Sequence, residues 1–288
     1  FFFFMSKWLI EILLPWKVDK TKCNEYYVQI MNIQSKYFNF DNNLESKHVS
    51  SSHYSGWNGL LIIKLNIIKG GIIDNDYIKN NFPAIFNKEK IVVLVSGKLL
   101  VDFKKNQKTL EEYDSINYFS DVSKYSFTCL EDAELFIISA KKIENSTNND
   151  LLFFNFKKDL TAIDLWGGKI ISRPYEGKKL NIVLFEIKKG FQFEDKGHIN
   201  EQVTWLIDGS MNFYVRDIKK QLLPYEGVDI GPYDLHGGLS DGAIGFDVFY
   251  PKREEKKYKN NILNKVHRSI DTHGYINTFY RILKYPFV

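Results

Sequence analysis

Two stretches of this chain, "IVVLVSGKLLVDF" (Ile91 to Phe103) and "VTWLIDGSMNFYV" (Val203 to Val215), share one layout: an apolar run, a glycine turn and a second run. The match recurs downstream, where "DAELFIISA" (Asp132 to Ala140) and "GAIGFDVFY" (Gly242 to Tyr250) read as closing strands. An internal repeat of about 110 residues restricts the fold more than any other feature, because it implies two copies of one small domain. The runs are short, rich in Ile, Val, Phe and Tyr, and broken by Gly, Asn, Asp and Lys. That texture belongs to antiparallel strands in a sandwich or barrel. Aromatic residues make up 16% of the 288 residues, with 23 Phe and 17 Tyr, and such residues favour sheets.

The β texture begins at "GLLIIKLNII" (Gly59 to Ile68), and the polar stretch "KKIENSTNND" (Lys141 to Asp150) reads as a linker. The expected division is an N-terminal extension over 1–58, a first barrel over 59–145, a second over 151–257 and a basic tail over 258–288. Ile262, Leu263, Val266 and Ile270 fall on one face of a short helix in that tail. Net charge is +4, and it is uneven: from Lys252 to Val288 nine basic residues face three acidic ones, a net of +6, which leaves −2 for the rest. No nucleic-acid motif is present. The apolar run "WLIEILLPW" (Trp8 to Trp16) is too short to cross a bilayer and contains Glu11. With no signal-peptide pattern, and with Cys23 and Cys129 forming no CxxC pair, a cytoplasmic protein with reduced thiols is expected. Met5, after "FFFF", reads as the initiator. "IDLWGGK" lacks the pattern of a phosphate loop, and no Ser-His-Asp or Cys-His arrangement can be placed.

The chemistry-bearing residues gather in the second half. Gly190 is followed, after five residues, by Lys196, Gly197 and His198; Gln202 and Gly209 come next. Further on stands "GPYDLHGG", with Pro232 and His236, ahead of the strand "GFDVFYPKRE". In order and spacing these resemble the two sequence motifs of the cupin family, in which a His-x-His pair, a Glu or Gln, and a later His surround a metal. With the repeat, the chain resembles a bicupin from about residue 59 to 257. "HINEQ" and "FYPKR" make it similar in particular to the bicupin isomerases of bacilysin biosynthesis. The resemblance implies an all-β fold of two tandem cupin barrels. It also implies a divalent transition metal (Fe, Mn, Co, Ni or Zn) and isomerisation of a prephenate-derived keto acid, with decarboxylation and oxygenation as reactions of related families.

The spacing has a physical reason. Residues two apart on a strand point to the same side, so a His-x-His pair aims two imidazoles into the barrel. A final His on a facing strand completes a donor set that suits such metals. Here Lys196 stands at the first His position, so the ligands carried over are His198, Gln202 and His236. Two arrangements remain open. Lys196 turns to solvent and Asp195, Glu194 or Glu201 assists, or Lys196 fills the place of the metal. Lys196, Gln202 and Tyr214 are the expected catalytic residues, and of these only Lys196 could act as a base, if burial lowered its pKa. Arg173, next to Tyr175 in "SRPYEG", is expected to bind a substrate carboxylate, and Thr204 to line the cavity.

In the first half the matching positions are Ile85, Asn87, Ile91 and Lys124, none a good metal ligand, so a structural or dimerising role is expected there. The expected partners are a small-molecule ligand and, through sheet edges, a second copy of the chain. Three functions stay open: a metal-assisted enzyme, a small-ligand or sugar-binding bicupin without catalysis, and a scaffold whose basic tail binds a partner.

Overall fold

The computed structural model describes residues 35–40, 44–45, 48–103, 106–118, 125–141 and 151–253. The first half supplies β1 (Lys36–Asn39), β2 (Leu44–Glu45), β3 (Val49–Ser55), β4 (Leu60–Ile67), β5 (Ile72–Asp74), α1 (Asn75–Asn81), β6 (Lys90–Phe103), β7 (Asn106–Leu110), β8 (Asp114–Tyr118) and β9 (Tyr125–Ala140). The second supplies β10 (Leu151–Asn155), β11 (Ile163–Leu165), β12 (Ile170–Glu176), β13 (Asn181–Ile187), β14 (Gln192–Asp195), β15 (Glu201–Val215), β16 (Ile218–Leu222), β17 (Glu226–Ile230) and β18 (His236–Tyr250). The expected tail helix and the residues around Met5 lie outside the described residues. No helix among the described residues is long and apolar enough to cross a membrane.

The fold is all-β: the described residues form two antiparallel nine-stranded sheets, each folded into a barrel. Alternation along a strand explains how both faces become buried. On β15, Val203, Trp205 and Ile207 point outwards and pack against Phe40, Leu60, Ile62, Ile91, Val93 and Phe136 of the other half. Leu206, Met211, Phe213 and Val215 point inwards with Ile187, Val228 and Ile230. The first barrel has its own interior, built on Ile63, Leu65, Val92, Leu94, Val101, Ile116 and Leu135. There are thus two barrel interiors and a third apolar layer between them, and strands buried on both faces read as unbroken apolar runs. The glycine turns of the repeat are obligatory. Gly97 and Gly209 have φ of 85° and 74°. A Cβ at these positions would lie 2.1 Å from the Asp132 carbonyl oxygen and 1.6 Å from that of Gly242.

The halves exchange strands. β1 pairs with β17 of the second barrel, and β10 pairs with β8 of the first. Phe38 stacks on Tyr54 at 3.9 Å between ring centroids, and Phe154 stacks on Tyr175 at 3.8 Å. The Phe40 N–H donates to the Tyr225 carbonyl, and the Phe156 N–H to that of Tyr113, each at 3.1 Å. The carboxylates cross as well. Glu201 accepts from the Asn58 and Leu60 N–H groups at 2.8 and 3.1 Å. Glu89 accepts from those of Lys178 and Lys179 at 2.6 and 2.8 Å. This is a pseudo-twofold arrangement inside one chain. The barrel that the sequence begins at Gly59 also takes in β3, which pairs with β4 from Val49 opposite Ile67 to Ser55 opposite Leu61.

Candidate metal centre

Between β14 and β15 the chain leaves the sheet for residues 196–200. Gly197 makes the turn: its φ is 87°, and a Cβ there would meet the Tyr233 backbone at 2.5 Å. Its N–H donates to Asp195 Oδ1 at 2.9 Å, and the His198 carbonyl accepts from the Tyr233 N–H at 2.8 Å. Two-residue alternation does not operate through such a turn. Lys196 is exposed, while His198 is buried. Lys196 therefore does not fill the pocket, and it is not placed to act as a base there. Asp195, one residue earlier, stands directly opposite His236 in the pairing of β14 with β18.

Asp195, His198 and His236 converge, each offering a ligand atom, with all three atoms within 4.8 Å of one another. The imidazole centroids of His198 and His236 are 5.7 Å apart with their planes at 90°. Neighbours fix the tautomers. His236 Nδ1 donates to the Asp234 carbonyl at 2.8 Å, which leaves Nε2 with a free lone pair. Gln202 Nε2 donates to Thr204 Oγ1 at 3.0 Å and to Asp247 Oδ1 at 3.1 Å. Its amide oxygen is thereby turned towards His198 and accepts from His198 Nε2 at 2.7 Å. His198 Nδ1 then carries the lone pair, and it is buried without a hydrogen-bond partner. Thr204 also donates to Asp247 Oδ1, at 2.5 Å.

Two residues of the site were not anticipated. Asp247 lies on β18 opposite Thr204. It is partly buried and lies on the opposite face of β18 from Phe246 and Val248, which pack between the barrels. Arg253 follows the end of β18 and reaches back to Asp195 Oδ2 at 3.1 Å, with its guanidinium 5.3 Å from the Phe249 ring centroid. The signal for Arg253 was the "FYPKR" ending. The signal for Asp247 was its even spacing from Phe249 and Gly245 along an apolar strand.

Other expected residues are not brought together. Gln202, Thr204 and Leu206 face inwards, but register shifts between Leu206 and Asp208 and between Gly209 and Met211 reverse the alternation. Beyond them Met211, Phe213 and Val215 face inwards, so Tyr214 points out and donates to Glu194 Oε2 at 3.0 Å. Arg173 stands opposite Leu184, which packs in the layer between the barrels, and it pairs with Glu186 at 2.6 Å. Tyr175 lies in that layer too, its hydroxyl accepting from Asn117 Nδ2 at 2.9 Å. Of the acids expected to assist, only Asp195 reaches the histidines.

In the first barrel, pairing fixes the correspondence. Val92 opposite Ile137 takes the place of Thr204 opposite Asp247. The position matching Gln202 is therefore Lys90, and not Ile91, which packs between the barrels. Tyr125 opposite Phe103 takes the place of His236 opposite Val215. Lys90 is fully buried, with Nζ donating to the Lys88 carbonyl at 3.0 Å and lying 5.0 Å from the Tyr118 ring centroid. Ile85 belongs to the apolar interior, and Lys124 lies outside the described residues.

Electrostatics keep the two imidazoles neutral at pH 7. Burial lowers the His198 pKa to about 3, with the nearby Arg253 and His236 charges adding to it. Burial lowers that of His236, with Asp195 opposing. Burial pushes the Asp195 carboxyl up, but Arg253 and the two imidazoles outweigh it and bring it to about 2. Burial raises Asp247 to about 6, opposed by its hydrogen bonds from Thr204 and Gln202.

No protein-family model and no curated protein matches the sequence. Solved structures do match. AerE from Microcystis aeruginosa aligns with a TM-score of 0.59 at 13% identity, over 73% of this chain and 96% of that one. A single-residue variant of oxalate decarboxylase from Bacillus subtilis aligns with a TM-score of 0.59 at 11% identity, over 76% and 78%. A cupin 2 conserved barrel domain protein from Leptotrichia buccalis aligns with a TM-score of 0.54 at 15% identity, over 76% and 98%. With its two pseudo-symmetric β-barrels and these neighbours, this chain has the fold of a bicupin.

Proposed function

We propose that the second barrel is the active centre of a metal-assisted enzyme acting on a small carboxylated or keto acid metabolite. The observation that carries this reading is the convergence of two buried, neutral imidazoles and one carboxylate within 4.8 Å. The donors fit a divalent transition metal such as Fe, Mn, Co, Ni or Zn: a lone pair stands on each imidazole, one of them otherwise orphaned. His198, His236 and Asp195 would hold it, and when bound it would supply a Lewis acid for substrate oxygens.

The chain's own residues account for the rest. Gln202 sets the His198 ring. Phe213 and Phe249 pack beside the two imidazoles. Asp247 is the group we assign to holding and moving a proton, since its carboxyl is tuned close to neutrality. Among the open reactions we place isomerisation of a keto acid first, because it needs one such group to take a proton and return it, and because "HINEQ" and "FYPKR" resemble those of bicupin isomerases. Decarboxylation or oxygenation is the alternative chemistry, and ligand binding without catalysis the alternative function. A cytoplasmic homodimer completes the proposal. The exposed apolar edge at β11, with Ile163, Leu165 and the following Trp166, is the place we assign to the second copy.

Metal content of the untagged protein tests the reading. Near-stoichiometric metal is expected in the wild type, and little in His198→Ala or His236→Ala. Absence of metal from the wild type, after loading with each of the five metals, would sink it. Asp247→Asn is expected to retain metal while turnover of a responsive keto acid drops by about 100-fold or more. Undiminished turnover in that variant removes Asp247 from the chemistry.

A further inference from the structure

Asp195 serves two masters in this site. Its Oδ2 is held by the Arg253 guanidinium at 3.1 Å, its Oδ1 by the Gly197 N–H at 2.9 Å, and the same carboxylate offers a ligand atom to the pair of histidines. Arg253 is not a loose surface residue. Its backbone N–H donates to Asn181 Oδ1 at 2.9 Å, and Asn181 Nδ2 returns a bond to its carbonyl at 3.4 Å. Just before it, Asn200 Nδ2 donates to the Pro251 carbonyl at 2.7 Å. The root of the side chain is therefore fixed, while the side chain itself is 25% accessible, at the mouth of the barrel. One face of the guanidinium lies over Phe249.

The charges make the shared carboxylate consequential. Asp195 and Arg253 form a carboxylate–guanidinium pair. A divalent cation between the histidines adds two positive charges beside this pair, and it competes directly with the guanidinium for Asp195. The displaced guanidinium then presents a fork of N–H donors beside the cation, the geometry that takes a carboxylate in two parallel hydrogen bonds.

Resting on the metal-assisted reading above, we propose that Arg253 is the anion-binding residue of the site and that Asp195 holds it in reserve. Metal binding draws Asp195 away and frees Arg253 for the carboxylate of a small organic acid. Binding is thus ordered, cation first and anion second, and Arg253 takes the role that the sequence assigned to Arg173.

Isothermal titration with Mn(II) alone, and then with oxalate and pyruvate as carboxylate probes, tests this without any turnover assay. Wild-type protein is expected to bind either carboxylate at least 10-fold more tightly after Mn(II) loading than in chelator. Arg253→Gln is expected to bind Mn(II) about 3- to 30-fold more tightly, because its competitor for Asp195 is gone, and to lose carboxylate binding by 10-fold or more. Arg253→Lys should recover part of the carboxylate affinity, which shows that the loss is one of charge and not of folding. Equal Mn(II) affinity in wild type and Arg253→Gln, or carboxylate affinity that Arg253→Gln leaves intact, overturns the proposal alone. Failure of the wild type to take up Mn(II) or any of the other four metals overturns the metal reading and this proposal with it.

Discussion

Glu201→Ala is expected to lower the free energy of unfolding by about 2–5 kcal/mol, the cost of leaving two buried backbone donors without an acceptor. The side chain is fully buried and receives the Asn58 and Leu60 N–H groups. Those groups belong to the start of the first barrel, whereas Glu201 opens β15 of the second. The truncation therefore cuts an attachment between the two barrels and opens a void at their junction. Glu201→Gln keeps one acceptor oxygen and is expected to lose less. Glu194→Ala, on an exposed residue of β14, is expected to stay within about 0.5 kcal/mol of the wild type. Equilibrium urea unfolding of the three variants reads the differences. A loss below about 1 kcal/mol for Glu201→Ala would show that water replaces the carboxylate at the junction.

Asp229→Asn is expected to stabilise the protein at pH 8 and to do little at pH 4. Asp229 Oδ2 accepts from the Tyr54 hydroxyl at 3.0 Å and the Trp57 N–H at 3.2 Å, while Oδ1 is buried without a partner. Burial raises its pKa to about 7, although these hydrogen bonds oppose the shift. An unfolded Asp titrates near ~3.9. Between these values the folded state binds more protons than the unfolded one, so stability is full below about pH 4 and falls as the pH rises towards about 7. The whole span is worth roughly 4 kcal/mol. An amide carries no such slope.

The first half of the chain already contains the solution. Asn117 occupies the pseudo-symmetric position, and its Nδ2 donates to Glu89 Oε1 at 3.2 Å. In the variant an amide stands in both pseudo-symmetric positions, opposite Ile91 in the first barrel and opposite Val203 in the second. Melting temperatures of wild type and variant, compared from pH 4 to pH 8, should diverge with rising pH. Parallel curves would place the ionisation of Asp229 elsewhere.

The sequence carried the repeat because both barrels use the same strand, turn and strand, and Gly97 and Gly209 tolerate no side chain. It also pointed to His198 and His236, which the structure brings together with Asp195, while Gln202 meets His198 through a hydrogen bond. It misplaced Tyr214 because two register shifts lie between it and Gln202, and an alternation read from one end of β15 is inverted at the other. It misplaced Lys196 because Gly197 turns the chain out of the sheet, a geometry fixed by Tyr233 from 36 residues away. Arg253 meets Asp195 only once the barrel has closed, and local patterning holds no record of that. In the first barrel the match of Ile91 with Val203 puts Lys90, and not Ile91, at the position of Gln202, one residue from where the ligand spacing alone would place it.

The exchanged strands make the chain a dimer with a covalent bond between its subunits. Neither half can melt without surrendering β1 or β10 to solvent and breaking the layer that contains Trp205. Cooperativity therefore spans all described strands, and free energy gained when the second barrel takes a ligand is felt equally by the first. The interior of the first barrel, with Lys90 at the position of Gln202, thus bears on how much of the population is folded and available to the second.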